Sequence, residues 1–169
     1  HRVDRRQRQM CIRDSRRVAQ RLAPLGELPD TLKRLLLRDE PEVARALLED
    51  CAALSDADLI GCARDAGLEH RLMMASRRGL SEAVTETLLS WGEEAVIVAV
   101  LRNDSARLSQ SALEGVIALS RGTAALCDLL LRRAELRPSG AYVMFWWCGP
   151  TERRICLLYT SPSPRDLST

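Results

Sequence analysis

The apolar positions of this chain fall into helical runs that come in pairs. Residues 81–108 show the pattern most clearly, because two runs meet there at Gly92. The same two-helix pattern is present before and after this stretch. We therefore predict an all-α fold, in which roughly four to five two-helix repeats stack as an α-solenoid.

Most of the predicted hairpins begin with a Leu, then a Ser, then a helical run. These junctions are at 54–55, 80–81 and 108–109, and 136–138 is a looser fourth. Ser is a preferred N-cap, because its hydroxyl accepts a hydrogen bond from an amide of the first turn. The caps recur after 26 and 28 residues, with 29 more to Pro138, and this agreement indicates true repeats.

Each first helix is followed by a glycine, which we expect to end the helix in the left-handed conformation. Residues 95–101, AVIVAVL, could alone form a buried strand, but their position in the repeat favours a helix. An irregular first unit is predicted at 16–25 and 31–38. The helix-ending glycines are Gly67, Gly92, Gly122 and Gly149, and the second helices are 42–54, 68–80, 93–107 and 123–136.

The two ends of the chain are predicted to lie outside the native domain. Residues 9–15 can be encoded by a DNA element whose reverse complement encodes residues 156–161, and this element resembles the transposon end of a sequencing-library adapter. We expect 1–15 and 156–169 to be translated adapter sequence, and 16–155 to be a helical-repeat domain from a longer protein. The alternative is a genuine disordered arm and tail.

Leaving out the two ends changes the charge balance of the predicted domain. The chain has 25 basic and 23 acidic side chains; six of the basic and three of the acidic ones lie in the two ends, which leaves 19 and 20. A balance this close to zero weakens the expectation of a nucleic-acid partner. No apolar run approaches the roughly 18 residues of a membrane span.

Sequence motifs give no catalytic or metal site. The chain has no Gly-rich phosphate loop, no GxSxG and no HExxH. His70 is the only histidine in residues 16–155, and we expect it to be a surface or hydrogen-bonded residue. Cys51, Cys62 and Cys127 are predicted to be core residues. We therefore predict no cofactor, no metal and no catalytic residue, and expect no enzymatic activity.

Paired polar residues near the ends of the second helices are the first candidate binding site. One interpretation is that they bond the last carbonyls and complement the helix dipole, and we favour it. In the other, stacked repeats align them as an arginine stripe that binds carboxylates or phosphates. The residues are Arg77, Arg78, Arg102, Asn103, Arg132 and Arg133, with Glu49 and Asp50 at the equivalent acidic position.

The second candidate is the aromatic run 142–148, YVMFWWC, which includes Trp146 and Trp147. Burial against further repeats is the favoured interpretation. A partner-binding patch is the alternative, because Trp and Tyr are enriched at interface hot spots.

Several segments within residues 28–154 are similar to an uncharacterised bacterial family, domain of unknown function 2336, which is built from HEAT-like helical repeats. They are PEVARALL, LSDADLI, HRLMMASRRGLSEAV, VLRNDSARLS and MFWWCGPTERR. The resemblance implies an α-solenoid, a cytoplasmic setting and no assigned catalytic residue.

We therefore predict a non-enzymatic scaffold that binds another protein through the groove of the stack. The alternative is a nucleic-acid-binding or base-excising helical-repeat protein that uses the arginine stripe together with Trp146 and Trp147. If the protein binds nucleic acid, added salt should weaken that binding steeply.

Overall fold

The structure, a computed structural model, describes residues 2–22, 24 and 27–160. This part of the chain contains eleven α-helices and no β-strand, so the all-α prediction is confirmed. None of the helices described there is long and apolar enough to span a bilayer. In chain order they are α1 (Arg2–Leu22), α2 (Asp30–Leu37), α3 (Pro41–Asp50), α4 (Asp56–Asp65), α5 (Leu68–Ala75), α6 (Glu82–Leu89), α7 (Glu94–Arg102), α8 (Gln110–Leu119), α9 (Ala124–Leu131), α10 (Pro138–Met144) and α11 (Pro150–Thr160).

The chain divides into two compact units, an N-terminal unit of residues 1–107 and a C-terminal unit of residues 108–169. In the N-terminal unit, helices that are two apart in chain order pack on each other. One series is α1, α3, α5 and α7, and the other is α2, α4 and α6. The pairs α2–α3, α4–α5 and α6–α7 also pack together, so each hairpin contacts the next one.

The C-terminal unit is smaller and has its own core. Here α8 packs on α9 and α10, and α11 packs on α9 and α10. Removing one large aliphatic side chain from water contributes about 1.5–3 kcal/mol to stability. The largest fully buried side chains of this unit are Leu113, Leu126, Leu130 and Met144; those of the N-terminal unit include Leu47, Leu48, Met74, Leu80, Leu88 and Ile97.

The predicted serine N-caps are confirmed. The hydroxyls of Ser55, Ser81 and Ser109 each accept a hydrogen bond from the amide three residues later, at 3.2, 3.4 and 3.2 Å. At Ser55 the carboxylate of Asp58 also accepts from the Ser55 amide at 3.0 Å, which completes a capping box. A cap of this kind stabilises a helix start by about 1 kcal/mol.

The second helices end earlier than predicted. The helices α3, α5, α7 and α9 end at residues 50, 75, 102 and 131, four to five residues before the predicted ends. The remaining residues form turns, in which the chain reverses direction before the next cap. The apolar pattern continued past each helix end because a buried leucine precedes each new helix. These leucines are Leu54, Leu80, Leu108 and Leu136.

Only one of the four predicted helix-ending glycines has the left-handed conformation. Gly92 has a φ of +67°, whereas Gly67 has a φ of −83° and is the N-cap of α5. The prediction is therefore wrong for Gly67, Gly122 and Gly149. Their φ angles are negative or extended, and residues other than glycine also adopt such backbone conformations. Among the described residues, one other glycine has a positive φ: Gly79, at +69°, in the turn after α5.

Residues 95–101 are helical, which confirms the choice of helix over strand. They lie within α7, and Val96, Ile97, Val100 and Leu101 are buried. Helix α7 packs on both α5 and α6. Burial by these neighbours outweighs the low helix propensity of β-branched residues.

The first helix is longer than predicted, because α1 begins at Arg2 instead of residue 16. Residues 2–15 are rich in Arg and Gln, which are good helix formers. Helix α2 lies within one residue of the predicted range 31–38. A helix can form whatever the origin of the sequence, so the adapter origin of 1–15 and 156–169 stays a prediction.

Candidate functional site

Arg77 is one of the predicted binding residues, and it bonds the end of a neighbouring helix. Its guanidinium donates hydrogen bonds to the carbonyl oxygens of Leu47, Leu48 and Cys51, at 3.4, 3.2 and 2.6 Å. These carbonyls lie at the C-terminal end of α3, where donors within the helix run out. Because Arg77 follows α5, it links one hairpin to the next.

Asn103 makes the same kind of contact one hairpin later. Its side-chain amide donates to the carbonyl oxygens of Ala75 and Arg77 at 2.8 and 2.7 Å, at the end of α5. Asn103 and Arg77 are separated by 26 residues, which equals the spacing between the first two serine caps. The two side chains therefore occupy equivalent positions in successive hairpins.

The other residues of the predicted arginine stripe differ in exposure. Arg78 and Arg102, each next to one of these linking residues, are exposed. In the C-terminal unit, Arg132 is exposed and pairs with Asp128 on its own helix at 2.9 Å. Arg133 is buried, and its guanidinium donates a hydrogen bond to the carboxylate of Glu135 at 2.7 Å. A binding role for the exposed arginines stays a prediction.

Arg71 is a buried linking residue that the sequence analysis did not identify. Two nitrogens of its guanidinium each donate to an oxygen of the Glu93 carboxylate, both at 2.6 Å. A third nitrogen donates to the carbonyl oxygens of Ala63 and Ala66 at 3.2 and 2.5 Å. The guanidinium carbon lies 4.5 Å from the ring centroid of Trp91. Arg71 thus joins the C-terminal end of α4 to α5 and to the turn before α7.

The Arg71–Glu93 pair is charged at neutral pH. The hydrogen bonds from Arg71 hold the pKa of Glu93 below its ordinary value of 4.5, against a smaller opposing effect of burial. The same hydrogen bonds raise the pKa of Arg71. In the sequence, the only available signal was an arginine within the mostly apolar run LEHRLMMA. Its partner, 22 residues away, is not marked by any motif.

The aromatic run 142–148 is divided between core and surface. Met144 and Cys148 are buried, whereas Tyr142 and Trp146 are 57% and 66% exposed. The rings of these two exposed residues meet edge to face, with centroids 6.4 Å apart. The favoured prediction is burial against further repeats, which these exposures do not test, so it stays a prediction for Tyr142 and Trp146. The run begins within a helix, and residues three and four apart share a face, so only one face reaches the core.

Trp147 lies beside a groove and is fixed there by two contacts. Its indole Nε1 donates to the Ser120 hydroxyl at 3.0 Å, at the end of α8. The guanidinium carbon of Arg121 lies 4.7 Å from the Trp147 ring centroid. These contacts hold the indole in one orientation against the helix on which α10 packs.

The groove, here called the α8–α10 groove, is open, has a volume of about 460 Å³ and is mostly apolar. Gly140 allows the two helices to approach closely, because a Cβ at this position would lie 2.9 Å from the Cδ1 atoms of both Ile117 and Leu136. The groove is lined by Glu114, Ile117, Ala118, Arg121, Ser139, Gly140, Val143 and Trp147.

The histidine and the cysteines predicted to be structural are core groups. Cys51, Cys62 and Cys127 are buried, which confirms that prediction. His70 is also buried, and its Nε2 lies 3.1 Å from the carbonyl oxygen of Asp39. Burial raises the pKa of Cys62 to about 11. A buried thiol with a raised pKa is a poor nucleophile.

Metal-ligating side chains do not converge in the described ranges, where no group of three or more His, Cys, Asp or Glu residues is arranged to hold a metal ion. In the C-terminal unit, the buried thiol of Cys148 neighbours the buried thiol of Cys127. Burial first, and then this neighbouring thiol, raise the pKa of Cys148. Cys148 is therefore a protonated core thiol at neutral pH.

These features define an all-helical protein of packed two-helix units with an open apolar groove. The chain belongs to the family DUF2336, described as an uncharacterised protein conserved in bacteria, whose family model matches residues 43–168. The predicted resemblance is confirmed, and the match extends beyond its expected limit at residue 154. No curated protein and no solved structure matches the chain.

Proposed function

We propose that this protein is a non-enzymatic helical-repeat scaffold that binds a protein chain through the α8–α10 groove. The proposal includes an α-solenoid arrangement of HEAT-like hairpins. Two observations within the separate units support that arrangement. Alternate helices pack on each other in both units, and Arg77 and Asn103 make equivalent contacts in successive hairpins of the N-terminal unit.

The observation that carries the proposed function is an apolar groove beside exposed aromatic residues. Val143 and Trp147 line the groove, while Tyr142 and Trp146 on the neighbouring positions are more than half exposed. Exposed apolar patches that are contiguous and rimmed by polar residues mark interaction sites. Trp and Tyr contribute most at such sites, because they bury a large rigid surface.

The composition of the groove favours a protein over a nucleic acid as the partner. Its lining is mostly apolar, and its two charged residues, Glu114 and Arg121, have opposite signs, so the groove has no excess positive charge to attract phosphates. Arg77 and Asn103, two of the predicted stripe residues, bond helix-end carbonyls. The exposed Arg132 of the C-terminal unit is proposed as an additional contact for acidic side chains of the protein partner. For Arg78 and Arg102 of the N-terminal unit, we propose separate contacts with acidic side chains.

Nucleic-acid binding is the second candidate, and one observation favours it. Cations lie over two aromatic rings of the C-terminal unit: Arg121 over Trp147, and Arg153 over Phe145 at 5.7 Å. Together with the exposed Trp146, they could provide a surface on which bases stack. Binding of single-stranded DNA or RNA at low salt that is lost with Trp146→Ala would support this candidate; no shift at low salt would remove it.

Quantitative affinity capture of the full chain from a bacterial lysate tests the protein-binding proposal. Val143→Glu and Trp146→Ser should each remove the same captured protein. Leu35→Glu is the matched control, because Leu35 is an exposed leucine of α2, 71% exposed, outside the groove. The control should retain that protein. A captured set that is identical for wild type, Val143→Glu and Trp146→Ser, together with no self-association of the wild type, would refute the proposal.

A further inference from the structure

We infer that the chain seated in the α8–α10 groove is a second copy of this protein, packed in an antiparallel arrangement about a two-fold axis. This inference rests on the proposed function, because it names the partner of the same groove. It depends on two features of the groove, the order of its charges and the position of its aromatic side chains.

The charged residues of the groove are self-complementary. Glu114 and Arg121 are both exposed and both line the groove. Glu114 lies within α8 and Arg121 lies two residues after its last residue, Leu119, so the two charges are separated by roughly 10 Å along the direction of the helix. The apolar Ile117 and Ala118 line the groove between them. A two-fold axis between antiparallel α8 helices therefore places Glu114 of each copy opposite Arg121 of the other, with apolar residues at the centre.

The exposed residues Tyr142 and Trp146 are the sequence neighbours of Val143 and Trp147, which line the groove. An isologous interface uses one patch on both subunits, so a patch with both a groove and a projecting side chain can pair with itself. Here α10 supplies Val143 to the groove and Tyr142 to the adjoining exposed surface, and Trp146 follows one turn later. In the dimer, Trp146 of each copy packs at the groove of the other.

The size of the patch sets the expected strength of the dimer. The exposed parts of Tyr142 and Trp146 in two copies amount to on the order of 500 Å². This is less than half of the roughly 1,200 Å² at which specific interfaces usually begin, and the faces of α8 and α10 must supply the rest. A reversible dimer is therefore expected, and its population should rise with protein concentration.

Sedimentation velocity of the purified full chain over a wide concentration range tests the inference. Wild type should be dimeric at high concentration. Glu114→Arg or Arg121→Glu alone should weaken the dimer on the order of tenfold or more, because each change places like charges opposite each other twice. An equal mixture of the two variants should form a heterodimer, since both contacts then join opposite charges. The double variant E114R/R121E should dimerise with itself.

The mixing step controls for misfolding, because a variant damaged by the loss of the Arg121–Trp147 contact would not regain association on mixing. A wild type that is monomeric at every concentration would overturn the inference. A dimer whose dissociation constant is the same in wild type, Glu114→Arg and Arg121→Glu would also overturn it. If wild type is monomeric but Val143→Glu still removes a captured protein, the self-association inference fails and the proposed function stands. If neither is observed, both fail.

Discussion

The two units use the same two-helix hairpin but treat its polar and aromatic positions differently. In the N-terminal unit, Arg77 and Asn103 reach from one hairpin to carbonyl groups at a helix end of the preceding hairpin. Arg71 bonds the end of α4 within its own hairpin and Glu93 of the next one. In the C-terminal unit, Tyr142 and Trp146 remain exposed beside an open groove. In the first unit, polar side chains thus form hydrogen bonds between hairpins. In the second unit, apolar side chains are exposed to solvent.

This difference separates residues that contribute to folding from residues assigned to recognition in the proposed function. Arg71 is inside the protein and its hydrogen bonds are made within the chain, so its contribution is to folding. Trp146 contacts the rings of Tyr142 and Phe145 but leaves most of its own surface in water, so in the proposed function this surface would be buried on binding. Substitutions in the two units should therefore affect different measurements.

Arg71→Ala should give the largest loss of stability, about 3 kcal/mol, because it leaves the Glu93 carboxylate and two carbonyl oxygens without their donor. Urea denaturation measures this. Arg38→Ala is the matched control, since Arg38 and Asp65 form an exposed pair at 2.6 Å and should contribute less than about 1 kcal/mol. Equal effects of the two changes would contradict the assigned role of Arg71.

The pH dependence of the same variant provides an independent check. The pKa of Glu93 is lower in the folded protein than its ordinary value of 4.5, so the stability from the pair is present above that value and is lost as pH falls through the folded pKa. The difference between wild type and Arg71→Ala should therefore narrow below about pH 4.5. A difference that stays constant on acidification would exclude the ion pair as its source.

Arg77→Ala should cost about 2 kcal/mol, because three carbonyl oxygens at the end of α3 lose a charged donor. Arg78→Ala, one residue along, should change stability by less than about 0.5 kcal/mol, since this side chain is exposed. Thermal denaturation of the two variants compares neighbouring arginines of the same predicted stripe. If Arg78→Ala is as destabilising as Arg77→Ala, helix-end bonding does not explain the pair.

Trp146→Ser should have the smallest effect on stability, less than about 0.5 kcal/mol, although it removes the largest exposed aromatic side chain of the groove region. The same variant should lose association at the groove. Circular dichroism melts, read beside the capture and sedimentation experiments, test both parts. A large drop in melting temperature would show that Trp146 acts in folding instead of recognition.

Much of the fold follows from local sequence signals. The hydroxyls of Ser55, Ser81 and Ser109 cap helices because a serine before a helical run has a short-range partner three residues later. The helix at 95–101 followed from repetition of the pattern. The helix ends did not follow, because a buried leucine such as Leu80 continues the apolar periodicity through a turn.

The candidate site was harder to predict because its geometry depends on residues far apart in the chain. Arg77 was correctly identified as a polar residue near a helix end, but the carbonyls it bonds belong to a helix up to 30 residues earlier. Likewise, the α8–α10 groove exists only where Ile117 and Gly140 bring two helices together. A single sequence does not specify such pairings.

The contacts of Arg77 and Asn103 have a consequence for how the N-terminal unit unfolds. Arg77 follows α5 and bonds the end of α3, while Asn103 follows α7 and bonds the end of α5. The end of each earlier helix is therefore completed by a later part of the chain. If the hairpin that carries Asn103 unfolded first, the C-terminal end of α5 would lose its hydrogen-bond donor and fray. This unit should therefore unfold as one cooperative block instead of hairpin by hairpin.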